Sequence, residues 1–284
     1  MFSISKMLLP IDFSARSGAV ADAATAIAER FDSEITLLHV LAPHVQPLAI
    51  SGQRMVMREF VREEVEAKMN EFRCFERRHV AVRRELREGD PARTIVDYAD
   101  SENIDLIMMP THGYGPFRRL LLGSVTAKVL HDAKCPVWTA VHREETPSHL
   151  PAIPRRIAAA IDLGPHSHNV LSWASRLSAE FGAPLSVIHV APLDPRTEDY
   201  YLSPEWRAEV IGNARAEVEE MLQTAGIESE IYIEIGAVPE AVTERAQNLH
   251  GDLLVIGRSA HAGGRLPTNA YAIIRDASCP VLSV

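Results

Sequence analysis

The sequence is poor in several features that place a protein quickly. Its 284 residues include only three cysteines, Cys74, Cys135 and Cys279, with no C-x-x-C pair, so a disulfide framework is excluded. No apolar run comes near the roughly 18 residues that cross a bilayer, and the first residues, MFSISKMLLPIDFS, carry no apolar signal-peptide core. A reduced, cytoplasmic protein with no membrane partner is expected. Basic charge is also scarce: Lys and Arg number 29 against 38 Asp and Glu, for a net charge of −9. Residues 1–150 hold 19 basic and 21 acidic side chains and residues 151–284 hold 10 and 17, a balance that argues against nucleic acid as a partner. With 46% hydrophobic residues the chain still has ample material for packed cores and no sign of disorder.

Catalytic signatures are missing as well. There is no G-x-x-x-x-G-K-(S/T), and the turn DFSARSG after the first predicted strand is not G-x-G-x-x-G, so P-loop hydrolysis and dinucleotide oxidoreduction are disfavoured. H-x-G-H, S-G-G-x-D-S and G-x-S-x-G do not occur, and no Ser-His-Asp or Cys-His set can be assembled from a recognisable motif. No catalytic residue is assigned.

What the chain does have is a copy of itself. LLPIDFS (8–14) matches AAAIDLG (158–164), and ITLLHVLAP (35–43) matches LSVIHVAPL (185–193). Asp12 and Asp162, Phe31 and Phe181, and His39 and His189 are each 150 residues apart. Gly89 and Asp105 map onto Gly236 and Asp252 at 147, and Cys135-Pro136-Val137 maps onto Cys279-Pro280-Val281 at 144. The period is too long for a solenoid and describes a tandem duplication of a domain of about 140 residues. The expected organisation is a first domain over 1–142, an exposed proline- and charge-rich linker over 143–154 and a second domain over 155–284.

Each copy alternates strand and helix. The first half predicts strands at Met7–Ile11, Ile35–Val40, Val80–Arg87, Leu106–Met109 and Val137–Val141. A first helix buries Val20, Ala23, Ala24, Ile27 and Phe31, and a second turns Val61, Val65, Met69 and Phe72 inward. A third opens at Pro91 and a fourth at Ser124. The second copy repeats the first helix face with Val170, Trp173, Ala174, Leu177 and Phe181. Apolar strands separated by helices predict an α/β fold of two tandem, doubly wound, five-stranded parallel sheets, Rossmann-like and related by a pseudo-twofold. The runs Val137–Val141 and Val281–Val284 are predicted to be edge strands that lie side by side.

In such sheets a ligand sits beyond the carboxyl ends of the strands where the winding reverses. Two loops meet there, one carrying Asp12 and the other reading MMPTHGYGPFRRLLLGSVTAKVL (108–130). Gly113 and Gly115 permit close backbone approach, and Gly123-Ser124 opens a helix whose exposed N–H groups suit an anion, with Ser124 placed to cap it. Asp12 can accept hydrogen bonds from a ribose or a base edge, or cap the helix that follows it. In the same loop His112 can polarise a water or, more simply, hydrogen-bond the backbone, and Arg118 and Arg119 can reach a γ-phosphate or stand as a solvated pair. His166 and His168 form an H-x-H pair without a third ligand, so no metal site is assigned.

These residues resemble the universal stress protein family in its tandem form, across almost the whole of both halves. The family's nucleotide-binding members carry G-2x-G-9x-G-(S/T) after the fourth strand. Here that pattern falls on Pro110, Gly113 and Gly123-Ser124, with the first glycine replaced and the spacing intact. The resemblance implies ATP, with Mg2+ as its companion ion, in the first domain. Pro10, Ile11 and Asp12 would border the adenosine, Val40 and Met109 would flank the adenine, and Gly113, Gly123, Ser124, Val125 and Thr126 would hold the phosphates. In the second half Asp162, Val190, Gly257 and Thr268 are the counterparts. That loop is three residues shorter, Ala260 replaces one glycine and Pro267 another, while Gly263-Gly264 offers a different anion nest. The resemblance implies a nucleotide-responsive module of the stress response, acting on a protein partner or a second copy. A slow ATPase switch and an assembly scaffold without nucleotide are the alternatives.

Overall fold

In the computed structural model, residues 2–42, 53–72, 80–112, 122–141, 151–192, 203–258 and 268–284 are described, except the side chains of 53–59. Ten strands and eight helices are assigned among them. The first half runs β1 (Lys6–Pro10), α1 (Ala15–Phe31), β2 (Glu34–Leu41), α2 (Gln53–Glu71), β3 (Val82–Glu88), α3 (Pro91–Ser101), β4 (Leu106–Met109), α4 (Ser124–Asp132) and β5 (Val137–Thr139). The second half repeats it with β6 (Ile157–Ile161), α5 (Ser167–Phe181), β7 (Leu185–Pro192), α6 (Pro204–Ala225), β8 (Glu230–Gly236), α7 (Val238–Asn248), β9 (Leu253–Ile256), α8 (Thr268–Asp276) and β10 (Val281–Ser283).

All ten strands join one sheet in the order β3-β2-β1-β4-β5-β10-β9-β6-β7-β8. Pairing is parallel within each half and antiparallel only where β5 meets β10, with Leu282 opposite Trp138. The two terminal runs do lie side by side, as the repeat predicts. Hydroxyls bolt the seam in a twofold-related way: Thr139 Oγ1 donates to Val281 O at 3.2 Å and Ser283 Oγ to Val137 O at 3.1 Å. Side chains alternate across a strand, so Trp138 and Leu282 enter one core while Val137 and Val281 enter the other. Each core therefore spans both halves. Over one face Phe31 meets Phe181 edge-on at 5.9 Å, and Phe2 bridges Phe31 and Trp173.

The repeated residues have identifiable duties. Asp105 Oδ2 accepts from the Ser5 and Lys6 amides at 2.8 and 2.9 Å, and Asp252 Oδ2 accepts from the Arg155 amide at 3.0 Å. Each ties the start of its first strand to its fourth. Gly89 and Gly236, at φ +152° and +156°, hold a backbone region nearly closed to other residues. Pro91 sits in the first turn of α3, capped by Asp90, whose side chain accepts from the Arg93 amide.

One helix departs from expectation. Val61 does not turn inward: it is 41% exposed, and neighbouring Phe60 is 62% exposed. Within α2 Met69 is buried and Val65 half-buried, with Phe72 half-buried just beyond its end, so among the described side chains of this helix those against a core lie toward its C-terminal end. β1, β2, β3, β5 and β10 also differ from the predicted strands by one or two residues at their ends, where assigned boundaries are least sharp. Of the linker, residues 143–150 lie outside the described residues; of the rest, Ala152 and Ile153 are exposed as expected, whereas Pro151 is half-buried and Pro154 buried.

Candidate functional site

Strand order places the reversal of winding between β1 and β4 in the first half and between β6 and β9 in the second. The turn after β1 is built by Asp12. Its Oδ1 accepts from the Ser14 amide at 3.0 Å and from Ser17 Oγ at 2.8 Å, while the Asp12 amide donates to Ser17 Oγ at 3.3 Å. Ser14, not Asp12, caps α1, its side chain accepting from the Ser17 amide. Phe13 between them is held at φ +62°. The second half repeats the device: Asp162 Oδ1 accepts from the Gly164 amide at 2.9 Å and from Ser167 Oγ at 3.0 Å, with Leu163 at φ +61°. One oxygen of each carboxylate thus organises a turn that includes a strained residue. Among the described residues Asp12 Oδ2 accepts no hydrogen bond.

His39 and His189 anchor the same strand ends. Nδ1 of His39 lies 2.7 Å from Ile11 O, and Nδ1 of His189 lies 3.0 Å from Ile161 O. Both are structural. His39 also packs on Phe13 with ring centroids 4.6 Å apart, and its burial lowers the imidazole pKa against the opposing pull of Ile11 O and Asp12.

On the β4 side, Pro10, Ile11, Met109 and Pro110 are buried and Val40 is half-buried. The loop that follows is closed at a neck. Gly123 N donates to Thr111 O at 2.8 Å and Thr126 Oγ1 to Pro110 O at 3.0 Å. A Cβ on Gly123 would come within 3.1 Å of His112 Cα and 3.3 Å of Thr111 O. Two backbones approach closely there, and any side chain would have to push one of them back by a few tenths of an ångström. Ser124 does not cap α4: the cap position is Gly123, at φ −58° and ψ 141°, and among the described residues no side chain bonds the first turn. Ser124 is one position too far along, exposed in the first turn. An uncapped first turn leaves the amides of Ser124, Val125 and Thr126 without intrahelical acceptors, the ordinary setting for an anion. Thr126 contributes an amide only, because its hydroxyl is buried on Pro110 O. Gly113, Gly115, Arg118 and Arg119 lie outside the described residues. His112 is buried, with Nδ1 3.3 Å from Thr111 Oγ1.

The second crevice is furnished differently. At the neck, Gly257 takes the place of Pro110, and a Cβ there would make only ordinary contacts, 3.4 Å to Val170 Cγ2 and 3.9 Å to His166 Cβ. Ala270 replaces Thr126, so the hydroxyl tie is gone. Val190 is buried, Asp162 exposed, and Thr268 is the exposed first residue of α8. Ala260, Gly263, Gly264 and Pro267 lie outside the described residues. His166 and His168 are exposed. Among the described residues no group of three or more His, Cys, Asp or Glu side chains is placed to hold a metal ion, and no helix is long and apolar enough to cross a membrane.

Two residues at this end of the molecule were not singled out from sequence. Arg258, just past β9, sends Nη1 to Leu130 O at 3.1 Å and Nη2 to Cys135 O at 2.6 Å in the first half. Burial lowers its pKa to about 10, which leaves it a cation near neutrality. Tyr271 of α8 accepts from the Leu122 amide at 3.0 Å. Cys135 and Cys279 are pushed up to about 11 and about 12 by burial, as expected for inert packing thiols.

Two doubly wound α/β domains joined through their last strands, each with its winding reversing at a switch point, define a tandem α/β protein. The model of the universal stress protein family matches residues 3–140 and again 154–284. The chain belongs to the universal stress protein family. A universal stress protein of Methanocaldococcus jannaschii is 35% identical over 135 residues, 46% of this chain and 79% of that one. One of Mycolicibacterium smegmatis is 29% identical over 190 residues, 65% of this chain and 63% of that protein. The crystal structure of a universal stress protein from Archaeoglobus fulgidus superposes with a TM-score of 0.74 at 24% identity, covering 99% of this chain and 98% of that one.

Proposed function

We propose that the first domain binds an adenine nucleotide, with ATP as the natural candidate, between the end of β1 and the first turn of α4, and that the chain serves as a nucleotide-responsive module. The observation that carries this reading is the first turn of α4, which no described side chain caps, beside a glycine at a close approach of two backbones. Such a turn stabilises an anion by about 0.3–1 kcal/mol, and by up to ~2 kcal/mol when partly buried. Ser124, Val125 and Thr126 would meet the phosphates through their amides. Asp12 would offer Oδ2 to ribose hydroxyls while Oδ1 keeps the turn, and Ile11, Val40 and Met109 would line the adenine. Mg2+ would arrive with the nucleotide. In the second domain Asp162, Val190, Gly257 and Thr268 would bind ATP weakly or not at all, because the neck hydroxyl is gone and the loop is shorter.

The test is calorimetric titration of the whole chain with ATP, alongside mass spectrometry of small molecules released from protein purified without added nucleotide. One saturable site per chain is expected. Steady ADP production would move the reading towards a slow ATPase switch. Absence of binding at millimolar ATP would overturn it in favour of a scaffold.

A further inference from the structure

Helix α4 bears the proposed phosphate turn, yet its two ends are tied to the other domain. At the N-terminal end Leu122 is buried, so its amide needs a partner, and that partner is the Tyr271 hydroxyl at 3.0 Å. The next amide, Gly123, is tied instead to Thr111 O within the first domain. Two consecutive amides at the exit of the loop are therefore held from opposite sides, one by each domain. At the C-terminal end Arg258 donates to Leu130 O and Cys135 O, which places a cation where a helix terminus carries partial negative charge. Arg258 is itself rooted in the sheet, its amide donating to Val284 O at 2.8 Å.

The arrangement is not returned. The repeat puts Thr111 where the second half has Arg258, at an offset of 147, and Ala127 where it has Tyr271, at 144. Neither side chain is long enough to reach across. Among the described residues α8 receives no corresponding tie.

We propose that the second domain acts as a positioning device for the first, with Tyr271 as the positioning residue and Arg258 as the anchor, so that nucleotide affinity in the first domain depends on a hydroxyl supplied by the second. This rests on the nucleotide reading above and adds its regulation: by linkage, ligand at the first turn of α4 changes the strength of the Tyr271 tie.

The experiment compares wild type, Tyr271→Phe and Tyr232→Phe as full chains. Tyr232 donates to Glu230 on the opposite edge of the sheet and controls for loss of a tyrosine hydroxyl. Two readouts are taken, amide hydrogen exchange over residues 122–127 and ATP affinity by calorimetry. Tyr271→Phe is expected to speed exchange over 122–127 roughly fivefold, the worth of about one hydrogen bond, and to weaken ATP binding by a similar factor, with α1 and α5 unchanged. Tyr232→Phe is expected to do neither. Faster exchange with unchanged ATP affinity would overturn the proposal, as would unchanged exchange over 122–127. If wild type binds no ATP, the nucleotide reading fails separately, and exchange alone decides whether Tyr271 positions this turn.

Discussion

At the end of the first strand the two halves are built alike, whereas at the start of the last helix they are not. Asp12 and Asp162 make the same pair of bonds to a following amide and a serine hydroxyl, and each precedes a residue at positive φ. His39 and His189 anchor both strand ends to the same carbonyl. The differences cluster in one connection and the helix it enters: Pro110 against Gly257, Thr111 against Arg258, Thr126 against Ala270, Ala127 against Tyr271. Persistence of the aspartate in a half with an altered loop is accounted for by the turn it builds, and so does not by itself mark a ligand. Evidence for a site has to come from the loop neck, where the halves disagree.

The sharpest way to break this comparison is at Arg258. Arg258→Ala leaves two carbonyls without their charged donor and is expected to cost about 2–4 kcal/mol in denaturant unfolding, against about 1 kcal/mol for Thr111→Ala. Equal costs would mean the two positions are not doing different things. Next comes the aspartate pair. Asp12→Ala should lose about 1.5–3 kcal/mol of ATP affinity and Asp162→Ala less, while both lower the melting temperature by similar amounts because both unmake a turn. Calorimetry that found equal affinity losses would end the claim of unequal crevices.

A smaller effect is expected at Thr126. Thr126→Val removes the bond to Pro110 O and should destabilise by about 1 kcal/mol, with ATP affinity falling alongside if the neck matters to the ligand; melting and titration of the same preparation read both. The smallest concerns pH. Burial holds His39 below its ordinary 6.5, so on acidification the unfolded chain takes up this proton before the folded chain does. Stability from this group is therefore complete above about 6.5 and declines as pH falls from there through the lowered folded value. His39→Gln should flatten that part of the stability curve, and an unchanged slope in the variant would show that another group governs it.

The architecture was legible because it rests on spacing: the 150-residue repeat carries helix faces such as Val20, Ala24 and Ile27 that are buried as expected. Val61 shows the limit of that reading. Periodicity identifies the face a helix could bury but not how far along its length a neighbour covers it, and in α2 Val61 is exposed while Met69 is buried. Ser124 was displaced by one position because a serine and a glycine at a helix start are both good caps, and backbone dihedrals decide between them. Arg258 and Tyr271 stayed invisible for a different reason. Their partners are backbone groups more than a hundred residues away, and no side-chain pattern encodes a backbone acceptor. The one signal was the exchange of Thr111 for Arg258 and Ala127 for Tyr271 between copies.

The antiparallel seam has a consequence for how the chain is made. When β5 leaves the ribosome its partner β10 is still some 140 residues from synthesis, which at ~5–20 residues per second is on the order of ten seconds. For that interval the first domain presents an open strand edge and the apolar faces around Trp138 that the second domain will later cover. Two nascent chains on one message could pair their β5 edges and commit to an exchanged assembly. Fusing the copies in one polypeptide counters this by holding the correct edge at high effective concentration once it appears, so duplication converts a bimolecular risk into an intramolecular closure.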